Sequence, residues 1–547
     1  MRAYFRLPAW PLALCLCAAC GDFLSVGNSN DADRRDVLAD AVELETRTAE
    51  AFRSLYGSTV GSTFGLGAQS KTMAGENDAW CPTVLSTRGA IPRTAIDNSR
   101  GNRYLWDNVA DWNALSRVAR GAADALHAMA EWRVSSGSAA RDARLRAFAW
   151  FTVGVAQGNL ALFYDSSGVV EPYAELTAFP QLLGYREAMA VALAYLDSAV
   201  AWTAIAAAAS GPDGFPLPGT WINGNPLTAA QFTQLVRSYK AQFRADVART
   251  RAEGAAVDWT AVLDDATHGL PSDLPVAAGA AWRVAFEMGC FGWSTAYQFY
   301  IGMADTSGGY DVWLPTPAWR KEGFLVVTPD RRFPQGTTRE AQQANSPAVP
   351  SGVQALRNRT GVGIGSDFGF SQYDSYRPAA FHDLAAPFPL VTRNKMDMLM
   401  AEAHLRAGNV PAAIALIDPY RVRAGLPALS GVVTAVGQAV PGGTAAAPVP
   451  GGASCVPRIP VGSAPTWTGT KCGDVWEALK WEYRMENMFV GHGAWYLPAR
   501  RWGDLPEGTA LHWPVPYQEM DARRRPSYSM GGVGGRDAVV GKGSYGL

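Results

Sequence analysis

Between Val37 and Leu55 apolar side chains recur every three or four positions: Val37, Leu38, Ala41, Leu44, Phe52 and Leu55. That spacing predicts an amphipathic helix, opened by Asp31 and Asp33 and ended at Gly57. The same period predicts further helices in pairs, at about 104–134 with 140–163 and about 183–209 with 228–252. A third pair runs from about 393–407 to 410–424, and a single long helix covers about 472–490. The stretches between them carry no clean period. Residues 58–100 are rich in Gly, Ser and Thr, whereas 268–390 and 427–470 are long and irregular. The Gly-rich tail from Gly531 predicts loosely held chain.

The pair at 393–424 is the most legible. Met398, Leu399, Ala401, Glu402, Ala403, Leu405 and Ala407 lead to Gly408-Asn409, a helix stop. Ala412, Ala413, Ile414, Leu416 and Ile417 then continue to Arg421, Arg423 and Gly425. Large–small alternation about a glycine turn is what two antiparallel helices need for close approach. The pattern resembles a tetratricopeptide repeat, in which each pair buries its face on its neighbour. The expected fold class is therefore mainly α. Its scaffold covers about 31–267 and 390–426 plus 472–490, and its loop-rich regions are 58–100, 268–390 and 427–470.

Charge and composition narrow the partners. The 547 residues are 48% hydrophobic and 18% charged, with a net charge of −1. No basic field exists to neutralise phosphates along a nucleic acid. Aromatics are plentiful, at 19 Trp, 19 Tyr and 21 Phe. Most large aromatics pack in cores, but their density within 268–390 argues against disorder there.

The N-terminus has the layout of a secretory signal. Arg2 and Arg6 precede a short apolar run from Leu7 to Cys17, and Ala18 and Ala19 precede Cys20. Small-small-Cys resembles a bacterial lipobox, so residues 1–19 are expected to be removed and Cys20 lipidated, although Cys17 stands where Leu is usual. The closest later apolar run, Ala188–Ala209, is marked as an Ala-rich helix of the folded domain by Arg186, Glu187 and Asp197. The expectation is an anchored chain that does not span. Export permits disulfides, and four cysteines follow Cys20. Cys455 and Cys472 flank a Pro/Gly-rich stretch and are the expected bridge, whose closure offsets about 3 kcal/mol of chain entropy. Cys81 with Cys290 is the weaker pairing.

Catalytic motifs are missing. The six histidines form no HExxH or metal-ligand spacing, no GxSxG occurs, and Gly361-Gly363-Gly365 lacks the strand–helix context of a dinucleotide site. Glu76 with Asp78 is spaced as a carboxylate pair, yet an acidic turn explains it as well. Glu482 and Glu486, four apart on one helix face, read as an ion-pair network with Arg484, Arg500 and Arg501. No catalytic residue, metal or cofactor is expected.

Several blocks in order along the chain carry a family resemblance. Cys20-Gly21-Asp22-Phe23-Leu24 resembles the start of mature SusD/RagB lipoproteins. Trp106–Leu126 and Arg144–Phe163 resemble two helices of that family, and Pro329-Asp330-Arg331 resembles its DPR turn. Asp397–Leu426 follows its helix-pair block closely. Glu482-Tyr483-Arg484-Met485-Glu486, Arg500-Arg501-Trp502-Gly503 and Trp513-Pro514-Val515-Pro516 follow its C-terminal blocks, with departures at Val490 and Pro498. The resemblance covers nearly the whole of 20–547. It implies about four tetratricopeptide-like helix pairs on one side and a loop-rich ligand-binding face on the other. It also implies a lipid-anchored outer-membrane protein, exposed at the surface, that sits over a TonB-dependent β-barrel transporter and binds an oligosaccharide or peptide. Aromatic faces for sugar C–H groups and planar polar groups for hydroxyls direct attention to Asn77, Asp78 and Trp80 in the first loop region. Trp293, Tyr310 and Trp313 are the counterparts in the second; for each one alone, core packing is the plain alternative. Two other functions compete, a surface glycan hydrolase and a helical scaffold that binds only protein. Turnover of a bound polymer marks the first, and co-purification of protein without a small ligand marks the second.

Overall fold

The computed structural model describes residues 38–547 apart from 80–82, 175–178, 210–212, 278, 280–281, 283–293, 318–319, 346–355, 359–372, 376–386 and 491. Its long helices fall where the 3.6-residue spacing predicts them. Asp40 caps α1 (Ala41–Thr59), its carboxylate accepting from the Val42 and Glu43 amides at 2.9 and 2.8 Å. Residues 31–37 lie outside the described residues.

A buried helix, α2 (Leu66–Met73), lies inside the region expected to be loop. Every one of its eight residues is buried, so no polar face exists to generate a period. Its N-cap is Gly65, which has no side chain to cap with; Asp111 supplies the carboxylate instead, accepting from the Leu66 amide at 2.5 Å. A Cβ at Gly65 would lie 2.1 Å from that same oxygen, so only glycine fits.

The scaffold follows. Helix α3 (Leu105–Ala130) packs on α1, α4 (Ala139–Phe163) on α3, α5 (Tyr185–Ala208) on α4, and α6 (Ala229–Asp246) on α5. The array continues through α7 (Trp259–Thr267) to α8 (Arg393–Arg406), which packs on α9 (Val410–Arg423) and α10 (Val475–Asn487). Successive helices thus cover one another as in a helical-repeat protein, and the fold is mainly α. Helix α4 is buried on nearly all sides, from Leu145 and Phe148 to Leu162 and Phe163. A Cβ at its Gly158 would meet the Phe243 ring at 2.0 Å, which is how closely α6 crosses it. Helix α5 is long and apolar enough to cross a membrane by length and composition. It nevertheless lays Ala188, Ala192, Leu196 and Ala199 inside the protein, and Asp197 bonds Lys240 of α6.

Strands are few, and every ladder among the described residues is two-stranded. Antiparallel β1 (Asn77–Ala79) and β2 (Ser294–Ala296) join the first irregular region to the second, with Asn77 opposite Ala296 and Ala79 opposite Ser294. In the 427–470 region, β3 (Arg458–Val461) pairs with β4 (Gly469–Cys472), and a Cys455–Cys472 disulfide with Cα atoms 5.8 Å apart closes its base. The tail is not loose. Tyr545 is buried, its hydroxyl donates to Glu477 Oε2 at 2.6 Å, and its carbonyl accepts from the Trp467 indole at 3.0 Å. That tail and the disulfide-closed excursion brace each other.

Candidate functional site

The β1–β2 ladder brings the two aromatic loop regions together, and its described side chains, Asn77, Thr295 and Ala296, are buried. Asn77 is buried and accepts from the Thr72 hydroxyl at 3.3 Å. The backbone of Asp78 sits opposite Thr295; its side chain, like Trp80, Trp293, Cys20, Cys81 and Cys290, lies outside the described residues.

Tyr310 and Trp313 belong to a short helix, Gly309–Trp313, and lie in an aromatic cluster. Tyr310 is 1% exposed; its hydroxyl donates to the Phe299 carbonyl at 2.6 Å, and its ring stacks on Phe324 at 5.9 Å. Trp313 is 6% exposed and donates from its indole to the Glu322 carbonyl at 2.9 Å. In this structure both satisfy their polar groups internally and serve packing, because the segment folds its apolar face under itself. Above them Lys321 places its ammonium 3.9 Å from the Trp313 ring centroid and 5.0 Å from that of Trp467. Burial pushes this ammonium down to about 8. The cluster is thus an aromatic platform with one cation, while Phe324 is half-buried and Val312 exposed at its edge.

Of the carboxylates singled out in sequence, Glu76, Glu482 and Glu486 are structural. Glu76 is fully buried, 3.4 Å from Lys71 Nζ, and accepts from the Phe489 amide at 2.5 Å. Burial pushes the Glu76 carboxyl above the usual carboxylate range, against the opposing pull of Lys71. The partners of the Glu482–Glu486 pair differ from expectation. Glu482 bonds Arg332 at 2.8 Å and Arg421 at 3.4 Å, and Glu486 bonds Arg332 at 3.2 Å and Arg423 at 2.6 Å. Arg332 also clasps Asp330 at 2.7 Å, and the Trp481 indole donates to that carboxylate at 3.0 Å. Arg484 turns instead to Asp504 at 2.5 Å.

Arg501 and Trp502 sit on α11 (Tyr496–Trp502) and reach Glu402 of α8 at 2.9 and 3.1 Å. Arg406 approaches Glu402 from its other side at 2.8 Å. Burial pushes the Glu402 carboxyl up, but Arg501 and Arg406 outweigh it and hold the group below the usual range. These charges neutralise one another inside the protein and leave none poised for proton transfer. No group of three or more His, Cys, Asp or Glu side chains among the described residues is arranged to hold a metal.

An open groove of about 980 Å³ runs between α1 and α3, lined by Arg47, Glu50, Ser54, Asp111, Arg117 and Asp124 among others. None of its lining residues is aromatic, so it offers no stacking surface.

No family model and no curated protein sequence matches the chain. Among solved structures it is similar to a SusD superfamily protein from Bacteroides vulgatus, at 13% identity over 85% of this chain and 89% of that one, with a TM-score of 0.48. It is similar to a SusD homolog from Parabacteroides distasonis at 12% identity, over 85% and 86% of the two chains, with a TM-score of 0.49. For a SusD homolog from Bacteroides thetaiotaomicron the identity is 10% over 87% and 92%, with a TM-score of 0.48.

Proposed function

We propose that this protein is a SusD/RagB-type nutrient-binding lipoprotein, anchored in the outer membrane through Cys20. In this reading it captures an oligosaccharide at the cell surface and hands it to a TonB-dependent β-barrel, without turning it over. One observation carries the reading: the sequence blocks that resemble the family meet as one buried unit. Glu402, Arg421 and Arg423 come from the Asp397–Leu426 block, and Glu482 and Glu486 from the next. Arg501 and Trp502 come from the Arg500–Gly503 block, and Asp330 lies in the Pro329–Arg331 turn. The Trp513 amide donates to the Phe163 carbonyl at 2.7 Å, which joins the last block to the end of α4. Blocks that merely looked familiar one by one would have no reason to be mutual partners.

The ligand face is proposed around the β1–β2 ladder. Asp78, Trp80 and Trp293 are its proposed contacts, while Asn77, Tyr310 and Trp313 are buried and serve packing. A hairpin-like ladder with Ala79 opposite Ser294 lets the chain leave on both strands at the same end, toward positions 80 and 293. Two indoles converging there would present flat faces to a sugar ring at low entropic cost.

The test is capture of the tagged full-length protein from outer membranes, with a calorimetric screen of glycans and peptides on the soluble chain beginning at Gly21. Co-purification of a TonB-dependent barrel is expected. So is binding of one ligand class that weakens about tenfold or more in Trp80→Ala and Trp293→Ala, the loss of one stacked aromatic. Cleavage of the bound glycan would replace this reading with a hydrolase, and a protein partner without any small ligand would replace it with a scaffold.

A further inference from the structure

Four buried arginines of this fold are matched with carboxylates. Arg332, Arg421, Arg484 and Arg501 each lie 2.5–3.4 Å from a carboxylate oxygen. Arg249 and Arg500 break the pattern. Both are 1% exposed, yet neither forms an ion pair with any described residue. Arg249 Nη2 donates to the carbonyls of Ala161 and Tyr164 at 2.7 and 2.9 Å. Arg500 donates to the carbonyls of Leu162, Leu511 and Asp246 at 3.0, 2.8 and 2.8 Å. The two side chains therefore cap the carbonyl end of α4, a location that favours cations. Capping does not use all their donors. Arg249 Nε and Nη1 and Arg500 Nε are buried without a hydrogen-bond partner among the described residues.

Arg249 and Arg500 line one cavity of about 400 Å³, together with Arg251, Val540, Lys542 and Ser544 among others. Arg251 spends Nε on the Trp502 carbonyl at 2.7 Å and bonds the Ser544 hydroxyl, and it too has no ion pair. Lys542 bonds Glu507 at 3.2 Å, the one ion pair made by these four cations among the described residues. Asp165, Asp246 and Glu253 act on Arg249 and Arg500 only from longer range. His512, buried beside the same arginines, makes no hydrogen bond among the described residues, and its Nε2 lies 3.6 Å from the Asp537 carboxylate. Val540 is 97% exposed, so it and the half-exposed Lys542 mark the mouth, and the two buried arginines mark the floor.

We propose that this cavity binds a phosphate-type oxyanion, free or carried on a sugar-sized molecule, with Arg249 and Arg500 at its floor and Arg251 and Lys542 nearer the mouth. Buried donors without partners and cations without counter-ions are each costly, and a tetrahedral oxyanion relieves both with charge-assisted bonds to the guanidinium edges. Burial, then the charge of Arg500, already pushes the Arg249 guanidinium down to about 9, the strain that a bound anion would remove. The cavity exceeds what bare phosphate fills, which leaves space for a pyranose ring. The inference does not depend on the nutrient-binding reading, because the cavity shares no lining residue with the β1–β2 ladder.

The test is calorimetry at low salt on the soluble chain beginning at Gly21, with inorganic phosphate and glucose phosphate as probes. Binding of phosphate is expected, and tighter binding of glucose phosphate would mark the anion as part of a larger ligand, whereas equal binding marks a free ion. Val540→Glu adds a negative charge at the mouth without touching any contact and is expected to weaken binding about tenfold, from two charges on the anion at roughly 6 Å in water. Arg249→Gln is expected to abolish binding, with circular dichroism and thermal unfolding reporting whether α4 survives the loss of its cap. Lack of binding in the millimolar range overturns the proposal. So does phosphate binding that is the same in Val540→Glu and Lys542→Glu as in the unaltered chain, since the anion would then sit elsewhere.

Discussion

Asp111 holds an ionisable group where a neutral one would be cheaper. Its carboxylate caps α2 from α3 at 2% exposure, and burial pushes it up to about 7 against the Leu66 amide and the Ser62 hydroxyl. A carboxyl raised in the folded state binds a proton that the unfolded chain has already released. Its contribution to stability is therefore fully present below about pH 4 and is lost as pH rises toward 7. Asp111→Asn keeps an oxygen to accept from Leu66 and has nothing to titrate. Urea unfolding at pH 4 and pH 7 is expected to show the variant gaining on the unaltered chain by up to about 4 kcal/mol across that interval, three units at about 1.4 kcal/mol each. Parallel pH profiles for the two proteins would mean that Asp111 is ionised throughout. The sequence displays Asp111 on a helix and Gly65 in a loop; that the one caps the helix opened by the other is a contact between positions 45 apart.

Among elements, the excursion at 427–470 shows how little composition says about order. Its Pro/Gly bias reads as surface decoration, but the β3–β4 hairpin, the Cys455–Cys472 bridge and the Trp467–Tyr545 contact tie it to the C-terminus. Replacing both cysteines by serine is expected to lower the unfolding free energy by about 3 kcal/mol, the loop-closure entropy of a chain segment of this length. Chemical denaturation of the reduced and oxidised protein measures it. A difference below about 1 kcal/mol would show that the hairpin and the tail hold the base closed unaided. Helix α2 carries the complementary lesson. Its buried residues run through Gly, Gln, Ser, Lys and Thr with no apolar stripe, because neighbours surround it on every side. Periodicity reports a helix most clearly when one face meets water.

At the scale of the whole molecule, the buried charge network joins parts that the helical array alone would leave independent. Glu402 on α8 accepts from Arg406, Arg501 and Trp502, while Arg501 also reaches Asp246 at the end of α6 at 2.5 Å. Glu402→Ala would leave Arg501 with Asp246 alone and take the buried carboxylate from Arg406, and is expected to cost about 3–5 kcal/mol. Equilibrium denaturation checks the magnitude, and a loss within about 1 kcal/mol would mean that water reaches the site in the variant. The network also bears on the functional reading. Chemistry of the acid–base kind needs a carboxyl freed for proton exchange, and these carboxyls are committed to arginines.

The sequence by itself determined the helices that have one wet face, α1, α3, α5 and α6 and the α8–α9 pair, because a 3.6-residue period survives wherever a helix lies at the surface. It also pointed to the Cys455–Cys472 bridge, which closes the base of the β3–β4 hairpin. The tertiary structure alone decided which opposite charges meet. Glu482 and Glu486 find Arg332, Arg421 and Arg423 and not their helix neighbour Arg484, because Coulomb attraction acts over angstroms in space and the chain fixes only distance along itself. It alone decided that Asn77, Tyr310 and Trp313 are bedded in the interior, where aromatic composition could not distinguish a packed ring from a presented one. The unmatched Arg249 and Arg500 were equally hidden: in sequence they are two arginines among many, and their want of a counter-ion exists only once the fold has brought them together.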